Sequence, residues 1–222
     1  MLAGEVLLGP GRERASKPGA SVAGDVEVAL AERSRYVSRG GVKLANAIDT
    51  FGLDVRGALA LDVGASTGGF SDCLLQRGAA RVVAVDVAYG ELHWRLREDR
   101  RVTVIERCNA RALAPSLLPY APGLIVMDLS FISLTKVLPA VLACAAPRFD
   151  CLAMVKPQFE VGRERVGKGG VVRDPAVHEA VCARVRDWWG ALPGWCVLGI
   201  AESPITGPEG NREFLIAAAR DG

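Results

Sequence analysis

The chain has 222 residues and a formal net charge of +2, from 27 Lys and Arg against 25 Asp and Glu. Half of it is hydrophobic and 23% charged, which excludes a disordered chain and suits one to two domains with an ordinary core. The near balance of charge excludes a histone-like polycation but not a nucleic-acid binder, which needs only a local basic face.

Residues 1–31 read as strand, turn, strand, broken at Gly9-Pro10-Gly11 and Lys17-Pro18-Gly19, a stretch too small to fold alone. Residues 32–43 are a basic connector leading into the main domain, with Arg33, Arg35, Arg39 and Lys43 opposed only by Glu32. Residues 44–222 form that domain. The spacing there predicts strands over 58–66, 81–90, 101–110, 123–131 and 150–159, with 196–204 and 212–220 closing the sheet. Helices are expected over 68–79 with Gly78 as its cap, 91–99, 134–146 with Pro139 at a kink or first turn, and 174–192 opened by Asp174-Pro175. Strands alternating with helices predict an α/β fold, a mostly parallel seven-stranded sheet covered on both faces. Such sheets bind ligands beyond the C-terminal ends of their strands, near the switch in strand order.

None of the six cysteines forms a C-x-x-C pair and there are two histidines, which argues against a zinc site or a disulfide framework and leads us to expect no metal and buried free thiols. The N-terminus lacks the basic-then-apolar pattern of a secretory signal, and no apolar run approaches the roughly 18 residues of a membrane span. A soluble cytoplasmic protein without a membrane partner is expected. Only five of the basic residues are lysines (Lys17, Lys43, Lys136, Lys156, Lys168), which fits the codon bias of a GC-rich genome. Lysine and arginine are not chemically equivalent, so each lysine is worth following.

Three constellations carry chemistry. An apolar strand reaches Asp62 and runs into a loop of small residues, Gly64, Ala65, Ser66, Thr67, Gly68 and Gly69, before Phe70 opens a helix. Glycines allow a tight turn and close approach to a ligand, and Asp62 is a candidate partner for an ammonium or a polarised water. The dinucleotide-binding pattern would have a glycine where Ser66 stands, so the loop suits a nucleoside cofactor or a structural turn. Asp86, about twenty residues on, is placed to accept from ribose hydroxyls, and Asn109, ending the third strand, to read an adenine edge. Asp128 in VMDLSFIS and Lys156 in MVKPQFE emerge from apolar strands onto the same edge and are natural ion-pair partners.

With SRGGVKL, DVGASTGGF, VMDLSFISL, VKPQFEVGRERVGKGGVVRDP and SPITGPEGNREFL on view, the chain resembles the TlyA group of FtsJ-type ribosomal RNA 2′-O-methyltransferases, often labelled hemolysins, over residues 34–220. The resemblance implies a Rossmann-like methyltransferase domain over 44–222, S-adenosylmethionine at the Asp62 loop, and ribosomal RNA or ribosomal subunits as partner. It also implies a Lys-Asp-Lys-Glu tetrad, which falls on Lys43, Asp128, Lys156 and Glu213, with Glu209 as a rival for the last place. Asp128 would then serve cofactor and catalysis alike. Lys156 would take the proton of the ribose hydroxyl, which arginine, always protonated, could not. Asp128 would orient it and Glu213 would position Lys43 or the ribose. Arg163, Arg165 and Lys168, helped by Arg173, would hold RNA phosphates unless their Gly-rich loop is merely solvated, and Arg35 and Arg39 of the basic connector are further candidates for RNA. Phe131 and Phe159 would flank the substrate or belong to the core, and Trp188 and Trp189 belong to core or helix surface.

Residues 3–28 resemble only the second half of the alpha-L RNA-binding module that opens TlyA proteins. Residues 1–31 thus read as its remnant, and weak binding to naked RNA with a normal cofactor site is expected. The alternatives are a membrane-active hemolysin, a cofactor-binding protein that has lost RNA methylation, and a nicotinamide oxidoreductase. No spanning segment supports the first, the intact tetrad opposes the second, and the glycine pattern opposes the third.

Overall fold

The computed structural model describes residues 6–10, 13–14, 21–30 and 35–220. The chain divides into two units, Met1–Arg35 and Tyr36–Gly222. In the first, β1 (Val6–Leu8) pairs antiparallel with β2 (Glu13–Arg14) on one side and β3 (Val28–Leu30) on the other. The expected strand-turn-strand therefore carries a third strand. The Lys17-Pro18-Gly19 turn, Gly11 and Arg33 lie outside the described residues.

The second unit opens with α1 (Gly40–Phe51), which sequence reading does not anticipate and which absorbs the end of the basic connector. Leu44, Ala47 and Ile48 recur at helical spacing and are buried, and Gly52, at φ 65°, ends the helix in the left-handed conformation open to glycine. There follow β4 (Leu59–Val63), α2 (Gly69–Gln76), β5 (Arg81–Val85), α3 (Trp94–Arg97), β6 (Val102–Ile105) and β7 (Leu124–Met127). The chain continues through α4 (Leu138–Leu142), β8 (Phe149–Val155), α5 (Pro157–Glu160), α6 (Pro175–Gly190), β9 (Trp195–Glu202) and β10 (Phe214–Arg220). Pro139 sits in the first turn of α4, Pro157 opens α5, and Asp174 caps α6. Most strands stop several residues before the expected ends; Asn109 lies beyond β6, where it caps a 3-10 turn.

The seven strands lie in the order β6-β5-β4-β7-β8-β10-β9. β4 to β8 are mutually parallel where they pair, while β10 is antiparallel to both its neighbours. Side chains alternate across the sheet, as a pleated strand requires. Along β7, Leu124 and Val126 enter one core with Leu44, Phe70 and Leu74; Ile125 and Met127 enter the other with Leu138, Val185 and Trp189. Both faces are covered, so the central strands are apolar on most residues of either face, with Asp62 of β4 a buried exception, which is why they read as near-continuous hydrophobic runs. The chain passes from β6 at one edge back across to β7, so the order reverses between β4 and β7. The loops that leave these two strands open there.

Candidate active site

The loop after β4 turns sharply at Gly64, at φ 86°, where an added Cβ would lie 2.6 Å from the Asp128 carbonyl oxygen. Only glycine lets the β4 and β7 loops approach so closely. Two residues on, Ser66 takes the left-handed turn at φ 47° that a glycine would usually take. Its N–H donates to Asp86 Oδ2 at 2.7 Å, and Asp86 Oδ1 accepts from the Ala88 N–H at 2.8 Å. A carboxylate has about four acceptor positions, so Asp86 keeps capacity for further donors.

Two cavities open at this edge. The larger, about 440 Å³, is lined by Asp86, Glu91, Asn109 and Phe131 among others. The smaller, about 300 Å³, includes Arg39, Lys43, Phe70, Lys156 and Glu213. Gly64, Ser66, Asp128 and Ser130 line both. Ala65, Thr67 and Gly69 face the smaller one.

Two of the expected loop contacts are redirected. Asp62 reaches neither cavity. On β4 it points to the face opposite Leu61, towards α2, where its Oδ2 accepts from Ser71 Oγ at 2.7 Å. Burial pushes its carboxyl up to about 7, against the lowering effect of the Ser71 bond. Gly68, at φ 96°, lines neither cavity; an added Cβ would strike Leu96 and Leu92, so it lets the loop pack on α3. Asn109 does reach the larger cavity, but its Oδ1 is taken by the Arg111 N–H at 3.0 Å, which leaves the amide as donor.

The charged residues pair off. Lys156 follows the last residue of β8, and its Nζ lies 2.7 Å from Asp128 Oδ1. That contact is an ion pair without hydrogen-bond alignment; the aligned bond runs from Lys156 Nζ to Ser130 Oγ at 3.0 Å. Phe214 of β10 stands opposite Val155 of β8, so the antiparallel register brings Glu213 beside Lys156. Glu213, 2% exposed, forms a buried ion pair with Lys43 of α1. Glu209 is exposed and lines neither cavity, so Glu213 is the carboxylate that meets Lys43.

Of the expected RNA-facing residues, Arg39 lies on the smaller cavity, Arg165 and Lys168 are exposed in short 3-10 turns, as is Arg173 beyond them, and Arg35 falls in the first unit. Arg163 begins the 163–165 turn; its side chain is not among those described. Asn211 ties the Gly-rich loop down: its Oδ1 accepts from the Val172 N–H at 3.0 Å and its Nδ2 donates to the Gly170 carbonyl at 2.9 Å. His178 packs against Phe214 and bonds the Val172 carbonyl, a structural role. Phe131 is not core but 90% exposed, with its ring 5.0 Å from that of Phe159. Trp189 is core. Of the six free cysteines three are buried, and Cys196 is exposed. Sequence reading missed Ser130, Glu91 and Glu160; only Ser130 and Glu160 sit in blocks distinctive enough to have drawn attention.

The FtsJ-like methyltransferase family model matches residues 36–220, nearly all of the second unit. The chain belongs to the FtsJ-like methyltransferase family. Its relatives include the 16S/23S rRNA (cytidine-2′-O)-methyltransferase TlyA of Mycobacterium tuberculosis, 46% identical over 95% of this chain and 81% of that protein. A solved Streptococcus thermophilus structure carrying a hemolysin name is 42% identical, covers 98% of this chain and 79% of its own, and superposes with a TM-score of 0.83. The O-methyltransferase TomG of Streptomyces achromogenes shares the fold alone, at 14% identity over 82% of this chain and 80% of its own, with a TM-score of 0.56. For an FtsJ-like methyltransferase, a nucleoside-sized cavity beside a smaller one holding two lysine–carboxylate pairs is a chemically sensible arrangement. Among the described residues, this FtsJ-like chain has no helix long and apolar enough to cross a membrane.

Proposed function

We propose that this FtsJ-like methyltransferase transfers a methyl group from S-adenosylmethionine to a ribose 2′-hydroxyl of ribosomal RNA, acting in the cytoplasm on ribosomal subunits. The observation that carries the reading is the pairing of Lys156 with Asp128 and of Lys43 with Glu213 on the wall of the smaller cavity, where Asp128 also lines the larger one. The name of the Mycobacterium tuberculosis relative agrees with it.

The larger cavity fits the cofactor. Its volume lies in the range of small-molecule sites. Asp86 offers spare acceptor positions for ribose hydroxyls, the Asn109 amide offers a donor, and Cys108, Ile132 and Val137 give apolar walls for a base. Bound there, S-adenosylmethionine supplies an electrophilic methyl group on a positively charged sulfur.

The chain's own residues then divide the work. Lys156 accepts the proton of the 2′-hydroxyl. Asp128 and Ser130 hold its Nζ from two directions, which fixes the line of approach. Glu213 holds Lys43 where a ribose or phosphate oxygen would enter the smaller cavity. Phe131 offers an exposed ring at the mouth on which a base can stack. Arg39, Arg165, Lys168 and the residues of the first unit meet the RNA backbone.

Lys156→Ala tests the assignment. Methyl transfer to ribosomal subunits should fall by about 10²–10⁴-fold, while calorimetry should show cofactor affinity nearly unchanged. Full activity in that variant would remove Lys156 from the chemistry.

A further inference from the structure

We infer that Glu160 is a positioning residue for methyl transfer: it clasps the loop after β7 so that Phe131 is held at the mouth of the larger cavity, beside the smaller one. The inference rests on the proposed RNA substrate and goes beyond it by naming what sets the substrate-facing ring.

Glu160 ends α5, four residues after Lys156, and its side chain is 3% exposed. Burial of a carboxylate needs full hydrogen bonding. Both of its oxygens are bound by one short segment, Oε1 accepting from the Leu134 N–H at 2.7 Å and Oε2 from Ser133 Oγ at 2.8 Å. Arg184 of α6 stands 3.7 Å from Oε2 and donates to the Glu160 carbonyl, which anchors the clasp to a long helix. The same loop is held at its other end by the bond from Lys156 to Ser130. Between the two fixed ends Phe131 has φ 66°, a conformation a bulky L-residue keeps only when its surroundings impose it. Its exposed ring leans on Phe159, the neighbour of Glu160 on α5. Short α5 and its N-cap Lys156 thus carry the proposed base, the ring support and the clasp within five consecutive residues.

The test uses the full chain with Glu160→Ala, Glu160→Gln, Phe131→Ala and the Glu160→Ala/Phe131→Ala pair. Glutamine retains an acceptor for Leu134 and can donate to Ser133, so it should rescue. Glu160→Ala should speed amide exchange over residues 129–134 and raise KM for ribosomal subunits about tenfold, the worth of one hydrogen bond to a charged acceptor. Cofactor affinity should fall less than that, since of the loosened segment only Leu129 to Ile132 wall the larger cavity. In the Phe131→Ala background the same substitution should add little, because it acts through that ring. Ser133→Ala removes one donor from the clasp, and it should give the same pattern at smaller size if Glu160→Ala does not fold. Unchanged exchange, or penalties that simply multiply, would overturn the inference. If the unaltered protein methylates no ribosomal subunit, the proposed substrate fails, while the exchange measurement still decides the clasp.

Discussion

At Asp62 the pleat of a strand decides what a carboxylate does. A shift of one residue would have sent it to the other face of the sheet; as it stands, it meets Ser71 under α2. Between about pH 4, the ordinary range, and about 7, its value here, the folded chain holds a proton there that the unfolded chain has lost. Its contribution therefore opposes folding increasingly as pH rises through that window. Asparagine mimics the protonated form and still accepts from Ser71. Asp62→Asn should gain stability relative to the unaltered chain as pH goes from about 4 to about 7 and gain no more above; denaturant midpoints at a series of pH values check this. Single residues were unevenly legible in sequence. Lys156 could be paired with Asp128 because two apolar strands opening on one edge leave charges no other place. Asp62 could not be placed, since its partner belongs to a helix whose packing face the motif does not state.

Elements show a consistent error. The apolar runs over 81–90 and 123–131 read as strand to their ends because extended, hydrophobic backbone continues past the last ladder bond, through Asp86-Val87 and Asp128-Leu129. In the fold these tails leave the sheet and become the lining of the larger cavity. The reading was thus least accurate where function begins, since a loop that binds a ligand also needs apolar surface. The helix at Gly40–Phe51 escapes notice because a basic stretch precedes it and its own first two residues are glycines, hiding Leu44, Ala47 and Ile48 behind an opening that looks like linker. The helix at Pro175–Gly190 was legible from its cap and first-turn proline. Asp174 accepts from the Ala176 N–H at 2.9 Å. Asp174→Ala should cost about 1 kcal/mol of stability and leave methyl transfer intact, as thermal unfolding and turnover at low temperature would show.

For the whole molecule, a net charge of +2 conceals where the cations stand. If the exposed Arg165 and Lys168 meet phosphates, binding to ribosomal subunits should weaken steeply with salt, and Lys168→Ala should reduce the slope of log K against log salt by about 1. A filter-binding series would measure it; an unchanged slope would leave that turn solvated and idle. The parallel character of the sheet was legible from the alternation of strands and helices. The insertion of β10 between β8 and β9 was not, because an antiparallel neighbour contributed by residues far along the chain leaves no local trace.

That insertion ties the sheet to the site. β10 follows every other described strand in the chain yet lies inside the sheet, and Glu213 stands at its entrance, 170 residues after Lys43. Without β10, β9 would have no neighbour in the described sheet and the buried Lys43 would lack its counter-charge. One stretch of chain, Glu213 to Arg220, thus joins β9 to the rest of the sheet and brings Lys43 its counter-charge.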